Sequence, residues 1–221
     1  NLGTIYAHGK GVAKDIDRAV KLYRRACNGG SPRGCINLGQ VYEEGSGLRQ
    51  DPIQAAKLYK RACIGDHPYG CVNLGRLYDQ GIGVAQDRKN ALSLFRRGCA
   101  GGHLEICVEL GIRYDSGEGA PEDPKRAFQL FSQACEGGVM RGCANLGLLY
   151  RHGRGTAQDF GRAAEVFTIA CKQGVACGSL GELYAIGKGV PKDRVKAKKL
   201  LTGACQDGDD WACEAIRKLG L

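Results

Sequence analysis

The most reactive side chains of this sequence belong to twelve cysteines, which occur as six pairs. Seven residues separate the two cysteines in five of the pairs, and five residues separate them in the other. The pairs are Cys27/Cys35, Cys63/Cys71, Cys99/Cys107, Cys135/Cys143, Cys171/Cys177 and Cys205/Cys213. Paired cysteines can form disulfides, bind a metal ion or remain as buried thiols.

The spacing argues against a metal site. Zinc sites usually contain Cys-x2-Cys pairs or nearby histidines, and the four histidines of this sequence (His8, His67, His103 and His152) do not follow the cysteine pairs. We therefore predict no metal. Buried free thiols in a cytosolic protein remain an alternative to disulfides.

No set of residues predicts catalysis. The sequence lacks Ser-x-x-Lys, His-Glu-x-x-His, Gly-x-Ser-x-Gly and the phosphate-binding Gly-x-x-x-x-Gly-Lys-Ser/Thr motif. Six Gly-x-Gly pairs are present, but each follows a predicted helix, whereas a nucleotide-binding loop follows a strand. We interpret them as turns and predict no enzyme activity and no cofactor.

The elements that position the cysteines recur along the chain. The dipeptide Leu-Gly returns every 36 residues four times and then after 34 residues. A tyrosine, a Gly-x-Gly pair, an aspartate and an alanine keep the same register in all six units. The Leu-Gly glycines are Gly3, Gly39, Gly75, Gly111, Gly147 and Gly181. Such a period is typical of repeat proteins built from one supersecondary unit.

Each unit is predicted to form two helices, A and B, joined by a turn. In the second unit, helix A extends from about Cys35 to Glu44, and Leu38 and Tyr42 share one face. Gly45 supplies the left-handed residue that ends a helix at little cost. The recurring tyrosine has helical spacing with the leucine, so we expect it in the core.

Helix B of the second unit is predicted to begin after Asp51. The aspartate can accept hydrogen bonds from the first-turn N–H groups, and Pro52 occupies the first position, where no N–H is needed. Ala55 and Tyr59 lie on the buried face, and the small residues Gly39 and Ala55 allow the two helices to approach closely.

The first cysteine of each pair ends a helix B, and the second lies at the start of the next helix A. Helix ends joined by a tight turn are close in space, so a disulfide across the turn is geometrically natural. Because every unit repeats the arrangement, we predict six local disulfides, each worth about 2–3 kcal/mol in the chain-entropy model. Disulfides indicate an oxidising compartment.

The unit Leu-Gly-x-x-Tyr-x-x-Gly-x-Gly-Val-x-x-Asp-x-x-x-Ala-x-x-x-Tyr-x-x-Ala-Cys resembles a Sel1-like repeat. The cysteine pairs resemble the Helicobacter cysteine-rich protein branch of that family over essentially the whole chain. The resemblance implies an all-α fold, a right-handed α/α superhelix related to tetratricopeptide arrays, with helices A on the concave face. It also implies an adaptor that binds other proteins. Some cysteine-rich members are described as penicillin-binding proteins or weak β-lactamases.

We expect one solenoid domain over residues 1–221, with a C-terminal capping helix over 209–219. The expected units are 1–34, 35–70, 71–106, 107–142, 143–176 and 177–208. The fifth turn, between Cys171 and Cys177, is two residues shorter than the others. The chain begins within a repeat motif, so we expect it to derive from a longer protein.

Polar side chains recur on helix A beside the buried leucine. Stacked units would align them in rows on the concave surface, where asparagine can donate to and accept from a peptide backbone. The alternative is that the asparagines bond to helix ends in the neighbouring unit. The candidate partner-binding residues are Asn1, Thr4, His8, Asn37, Gln40, Glu44, Asn73, Arg76, Gln80, Glu109, Asn145, His152 and Glu182.

The net charge of +9 is uneven and is greatest in the first unit. Basic clusters such as Lys21/Arg24/Arg25 lie on predicted helices B, which we expect to face outward. Nucleic-acid binding would require a continuous basic stripe with stacking aromatics, and we do not predict it. No apolar run is long enough to span a membrane.

We therefore predict a periplasmic or secreted adaptor that binds a peptide or partner protein. Such an adaptor could also attach peripherally to an envelope complex. The mitochondrial intermembrane space is the alternative location, since the resemblance includes a relative there. The alternative function is a β-lactam- or peptidoglycan-directed binding protein with weak β-lactamase activity.

Overall fold

The computed structural model describes residues 2–221, which contain thirteen α-helices and no strand. The helices are α1 (Leu2–His8), α2 (Ile16–Asn28), α3 (Pro32–Glu44), α4 (Pro52–Ile64), α5 (Pro68–Gln80), α6 (Arg88–Ala100), α7 (Leu104–Ser116), α8 (Pro124–Glu136), α9 (Met140–His152), α10 (Phe160–Cys171), α11 (Cys177–Ile186), α12 (Arg194–Gln206) and α13 (Asp210–Leu219). Odd-numbered helices up to α11 are helices A, and even-numbered helices are helices B. The predicted all-α class is confirmed.

Two compact units make up the chain. The first ends at Ile106, and the second extends over Cys107–Leu221. Within the first unit each helix from α1 to α6 packs on the next, and α3 also contacts α5. Within the second unit the same holds from α8 to α13, and α11 contacts α13. A single solenoid domain over 1–221 stays a prediction.

Each helix B begins at the predicted aspartate. The Asp51 carboxylate accepts a hydrogen bond from the Gln54 N–H at 3.0 Å, and Asp15 accepts one from Arg18 at 2.8 Å. The same cap is formed by Asp87, Asp123, Asp159 and Asp193. Pro52 and Pro124 lie in the first turn, as predicted.

Helix A of the second repeat begins earlier than predicted, at Pro32 instead of Cys35. The Ser31 hydroxyl accepts a hydrogen bond from the Gly34 N–H at 3.3 Å, and Pro32 occupies the first turn, so both residues stabilise an extra helical turn. The helix ends at Gly45, which has φ +76°, as the glycine predicts.

No cysteine among residues 2–221 is free. The predicted pairing is confirmed for five disulfides, whose Cα atoms are 4.5 Å apart in Cys27–Cys35, Cys63–Cys71 and Cys135–Cys143, 4.7 Å in Cys171–Cys177 and 4.8 Å in Cys205–Cys213. Cys99 and Cys107 are also disulfide-bonded. Each disulfide therefore marks a junction between a helix B and the following helix A.

A large helix-B side chain packs directly on the glycine of each Leu-Gly dipeptide. A Cβ atom on Gly39 would lie 2.6 Å from Cε1 of Tyr59, and one on Gly147 would lie 2.4 Å from Cε1 of Phe167. Both side chains are 0% exposed. The predicted close approach of helices A and B is confirmed, and the helix-B aromatic ring is what fills it.

The recurring helix-A tyrosine is less buried than predicted. Tyr114 is 1% exposed, but Tyr6, Tyr42, Tyr78, Tyr150 and Tyr184 are only half-buried. A cation from the first turn of helix B covers several of these rings: Arg18 lies 4.3 Å from the centroid of Tyr6, and Lys196 lies 4.1 Å from that of Tyr184. The phenol group remains at the edge of the core because its hydroxyl needs a polar partner or water.

The shortened fifth turn changes the start of its helix A. Helix α11 begins directly at Cys177 and has ten residues, compared with thirteen in α9. Ala176, before it, takes a left-handed conformation with φ +58°. The two missing residues thus remove the first helical turn, while the disulfide is kept.

Candidate functional site

One face of each helix A is exposed, and we call it the helix-A stripe. In α3 it consists of Arg33, Asn37, Gln40 and Glu44, all at least partly exposed, at positions i, i+4, i+7 and i+11. The equivalent residues of α5 are Tyr69, Asn73, Arg76 and Gln80, and those of α9 are Arg141, Asn145, Leu148 and His152. The opposite face carries the cysteine and leucine of the core, so the stripe lies on the more exposed side of helix A.

The stripe residues of α1 and α3 meet at a cavity of about 530 Å³ in the first compact unit. Helix α2 supplies Tyr23 to its wall. Of the candidate partner-binding residues, the cavity is lined by Thr4, His8, Asn37, Gln40 and Glu44. The structure therefore brings these five predicted residues together, while Asn1 lies outside the described residues.

The remaining candidates of the first unit lie on α5. Arg76 and Gln80 are exposed and Asn73 is half-buried. These residues occupy the register that Gln40, Glu44 and Asn37 have in α3. They extend the polar stripe beyond the cavity, and their role in binding a partner stays a prediction.

In the second compact unit, Asn145 and Glu182 form bonds within the chain. The Asn145 amide donates to the Arg141 carbonyl oxygen at 3.0 Å, a bond within its own helix. The Glu182 carboxylate pairs with the Arg151 guanidinium at 2.6 Å. Glu109 is half-buried and His152 is exposed. The bond found for Asn145 thus differs from the alternative considered above, in which the asparagine bonds to a helix end of the neighbouring repeat.

Three aliphatic stripe residues were missed because only polar side chains were considered. Ile112 is 39% exposed and Leu148 is 38% exposed, and both occupy the position of Gln40 and Arg76 in their repeats. The 36-residue register alone could have identified them. The described stripe residues of α1, α3 and α5 therefore include no aliphatic side chain, whereas α7, α9 and α11 carry exposed ones, with Ile186 of α11 at the position of Glu44 and 40% exposed.

The stripe also extends one turn further toward the start of each helix A than predicted. Arg33, Tyr69 and Arg141 lie four residues before the recurring asparagine and are exposed or half-buried. Trp211 holds the same position in α13, with 43% of its surface exposed. These residues were missed because helix A was expected to begin at the cysteine, two residues later.

Behind the stripe of α3, a buried hydroxyl is held by a carboxylate. The Tyr59 hydroxyl donates to Oε2 of Glu43 at 2.5 Å. Burial of the phenol, and then its hydrogen bond and proximity to the Glu43 carboxylate, raise the pKa of Tyr59 well above its usual value. This tyrosine is therefore neutral in the folded protein at any ordinary pH.

The raised pKa of Tyr59 predicts a loss of stability in alkaline solution. Above pH 10, the ordinary tyrosine pKa, the unfolded chain releases this proton and the folded protein keeps it, so the free energy of unfolding falls as pH rises. Urea denaturation at pH 8.5 and about pH 11 should show a smaller fall for Tyr59→Phe than for the wild type. An equal fall in both proteins would contradict the assignment.

No group of acidic, cysteine and histidine side chains in the described part of the chain could hold a metal ion. Among the helices of residues 2–221, none is both long enough and apolar enough to cross a membrane.

Stacked two-helix units with an exposed helix-A face define an α/α repeat protein. The chain belongs to the Sel1 repeat family, whose model matches residues 1–31, 32–67, 68–103, 106–139, 141–175 and 175–209. The predicted resemblance is confirmed. Proteins of this family are generally protein-interaction scaffolds, and they are generally not enzymes.

Solved structures of several bacterial proteins have the same fold. The chain is 29% identical to c5321, a protective antigen of uropathogenic Escherichia coli, with a TM-score of 0.89 over 96% of this chain. It spans 46% of the c5321 chain. It is also 29% identical to a Sel1 repeat protein from Oxalobacter formigenes, with a TM-score of 0.79 over 93% of this chain and 85% of the other.

Cysteine-rich protein B of Helicobacter pylori is 27% identical, with a TM-score of 0.46 over 62% of this chain and 99% of the other. No curated protein matches the sequence significantly. The disulfides indicate an oxidising, extracytoplasmic environment.

Proposed function

We propose that this protein is an extracytoplasmic adaptor that captures an extended segment of a partner protein on its helix-A stripe. The observation that carries the proposal is the cavity of about 530 Å³ lined by Thr4, His8, Asn37, Gln40 and Glu44. These residues come from two successive repeats and converge on one space. A concave site with a few convergent polar groups is the usual form of a binding site.

The chemistry of the stripe suits a peptide backbone. Each backbone unit offers one N–H donor and one carbonyl acceptor, and the side-chain amides of Asn37, Gln40 and Asn73 can both donate and accept. Recognition through the backbone would be tolerant of sequence. A segment bound on the second compact unit would instead bury apolar groups on the exposed side chains of Ile112 and Leu148, and hence show preference for particular side chains.

The proposed location is the periplasm or the extracellular space. A chain with no free cysteine among residues 2–221 needs an oxidising environment to mature. The mitochondrial intermembrane space has the same redox requirement, and fractionation of the native cell separates the two settings.

The stripe is tested by replacing Asn37, Gln40 and Asn73 together with alanine. Loss of three hydrogen bonds of about 1 kcal/mol each should weaken partner capture by at least about tenfold. The melting temperature should change by less than about 2 °C, since exposed or half-buried positions contribute little to folding. A pull-down from the native envelope fraction identifies the partner, and titration with the purified partner measures the affinity.

A matched control replaces three exposed helix-B residues, Lys57, Lys60 and Ser93, with alanine. This variant should bind the partner as the wild type does. If the control loses the partner and the stripe variant retains it, the outward face of the B helices is the binding surface and the proposal is wrong.

A further inference from the structure

The first two repeats differ in the polar groups behind the stripe. In the second repeat, Glu43 accepts the hydrogen bond of the buried Tyr59 hydroxyl at 2.5 Å, and the Gln50 side chain donates to the Glu43 backbone carbonyl at 2.8 Å. The residues 36 positions earlier are Ala7 in place of Glu43 and Lys14 in place of Gln50. The first repeat has therefore lost an anion and gained a cation.

The tyrosine that needs the carboxylate is still present in the first repeat. Tyr23 is the equivalent of Tyr59 and is only 4% exposed. Its hydroxyl lies 3.4 Å from Oγ1 of Thr4, a long contact compared with the 2.5 Å bond of Tyr59. The Tyr23 hydroxyl therefore has an acceptor in Thr4, but the bond is long and weak. A carboxylate placed in the cavity would be a stronger acceptor for this hydroxyl.

The sixth repeat also lacks a carboxylate at the position of Glu43, but it has no tyrosine hydroxyl that would need one. It also has the small residue and the lysine, as Ala185 and Lys192, but its helix-B residue at this position is Leu201. Leucine has no hydroxyl to satisfy, so the missing carboxylate leaves no unmet hydrogen bond. The first repeat differs from both the second and the sixth, because it has the helix-B tyrosine, Tyr23, but no carboxylate at the position of Glu43.

The space left by Ala7 belongs to the cavity described above. Ala7, Lys14 and Tyr23 line it together with Thr4 and His8. The His8 Nδ1 donates to the Thr4 carbonyl oxygen at 2.9 Å, which leaves Nε2 as the free ring nitrogen. The donor hydroxyl of Tyr23 and the side chain of a lysine therefore belong to residues that line one concave space.

We infer that this cavity binds a carboxylate of the captured segment, in the place that the Glu43 carboxylate takes in the second repeat. The inference rests on the proposed adaptor function. Tyr23 would donate its hydroxyl hydrogen to the carboxylate and Lys14 would neutralise the charge, and charge-assisted hydrogen bonds of this kind are the stronger ones.

Glu44 limits which segments fit. Its carboxylate lines the same cavity and accepts a hydrogen bond from the Ser46 hydroxyl at 3.2 Å. A second negative charge on the ligand would approach Glu44 and be repelled. The cavity therefore selects a single carboxylate, either a C-terminal group or an isolated acidic side chain, and disfavours a run of acidic residues.

The test is an NMR titration of the ¹⁵N-labelled protein with sodium acetate, against sodium chloride at equal ionic strength. Acetate should produce saturable shifts of the Thr4, Ala7 and Lys14 amides, and the Asp79 and Gln86 amides, at the equivalent positions of the third repeat, should not move. Absence of saturable shifts at the first repeat overturns the carboxylate site.

Two blocked dipeptides distinguish the sources of the carboxylate. Acetyl-Gly-Gly with a free C-terminus presents a terminal carboxylate, and acetyl-Gly-Glu-amide presents a side-chain carboxylate. Whichever binds more tightly identifies the source. Acetyl-Gly-Gln-amide carries no charge, and binding of this peptide as tight as that of the charged ones contradicts the inference.

Two substitutions assign the site to its residues. Ala7→Glu supplies the carboxylate within the chain, so it should raise the melting temperature and weaken acetate binding by at least about tenfold. Lys14→Gln should weaken acetate binding by about tenfold with little change in melting temperature. Lys10→Gln is the matched control, because Lys10 is an exposed lysine of the same loop. Equal weakening by Lys10→Gln and Lys14→Gln would show a general charge effect and overturn the site.

The outcome is separable from that of the adaptor proposal. If stripe variants lose the partner but acetate leaves the first repeat unaffected, the adaptor surface stands and the carboxylate site fails. If acetate binds as described but partner capture is insensitive to the stripe, the carboxylate site stands and the adaptor surface fails.

Discussion

Reduction of the disulfides is expected to unfold this protein at temperatures at which the oxidised protein is fully folded. Each disulfide closes a short loop and is worth about 2–3 kcal/mol in the chain-entropy model. Six of them amount to about 15 kcal/mol, which is as large as the whole net stability of a typical domain, about 5–15 kcal/mol. Thermal melts followed by circular dichroism, with and without a phosphine reductant, measure the difference.

Removal of one disulfide tests whether the effect is local to each repeat junction. Cys63→Ala with Cys71→Ala should lower stability by about 2–3 kcal/mol, or about 5–10 °C in melting temperature for a chain of this size. Both sulfurs are buried, since each cysteine is 2% exposed, so some packing is lost as well.

The pair Cys205 and Cys213 provides the comparison. Cys205 and Cys213 are half-buried, so their replacement should cost the loop-closure contribution with less loss of packing. Alkylation of the unreduced protein in urea, followed by mass spectrometry, is the direct control, because unfolding exposes any buried thiol. Twelve reactive thiols in that experiment would contradict the disulfides and with them the oxidising compartment.

Repetition is what made the frame of the molecule predictable. Six aspartates in one register predicted six helix-B caps, and the capping bonds of Asp15 and Asp51 confirm the reasoning. The cysteine pairing followed for the same reason, because each junction faces the same geometry. Where local chemistry overrode the register, as with Ser31 and Pro32 at the start of α3, the predicted boundary was wrong by one turn.

The candidate site was less predictable because it depends on what is missing from a repeat. Ala7 gave no signal as a small residue in a helical pattern, yet the space it leaves becomes part of a cavity when α1 packs beside α2 and α3. Comparison of Ala7 with Glu43 is informative only once the Tyr59–Glu43 hydrogen bond is known. The burial of the helix-A tyrosines was likewise overestimated. Helical periodicity identifies which residues face the core, but it does not say how deeply each residue is buried.

Replacement of Gly39 by alanine is expected to destabilise the protein by about 1–3 kcal/mol, although alanine is the better helix former. The added methyl group would lie 2.6 Å from Cε1 and 2.9 Å from Cδ1 of Tyr59. That ring is 0% exposed and its hydroxyl is bonded to Glu43 at 2.5 Å, so it cannot swing away without losing the bond. Urea denaturation measures the change in the free energy of unfolding.

Gly203 is the matched control, because it lies within α12 and no atom is within 4 Å of the position its Cβ would take. There, Gly203→Ala should stabilise the protein by about 0.5–1 kcal/mol, the usual gain of alanine over glycine inside a helix. Opposite signs for the two substitutions would separate packing from helix propensity. A similar gain in stability from both substitutions would mean that there is room for a methyl group beside Gly39, and would contradict the prediction.

A double-mutant cycle with Tyr59→Ala connects the Gly39 effect to its cause. Tyr59→Ala alone should cost about 3–5 kcal/mol, as expected for truncation of a large buried aromatic side chain. In that background the clash is gone, so Gly39→Ala should cost nothing or become favourable, and the two changes should be strongly non-additive. Additive costs would place the strain elsewhere in α3. Non-additivity would show that a large helix-B side chain packing directly on Gly39 is what requires glycine at this position, and the equivalent contacts of the other Leu-Gly glycines suggest the same cause for their recurrence.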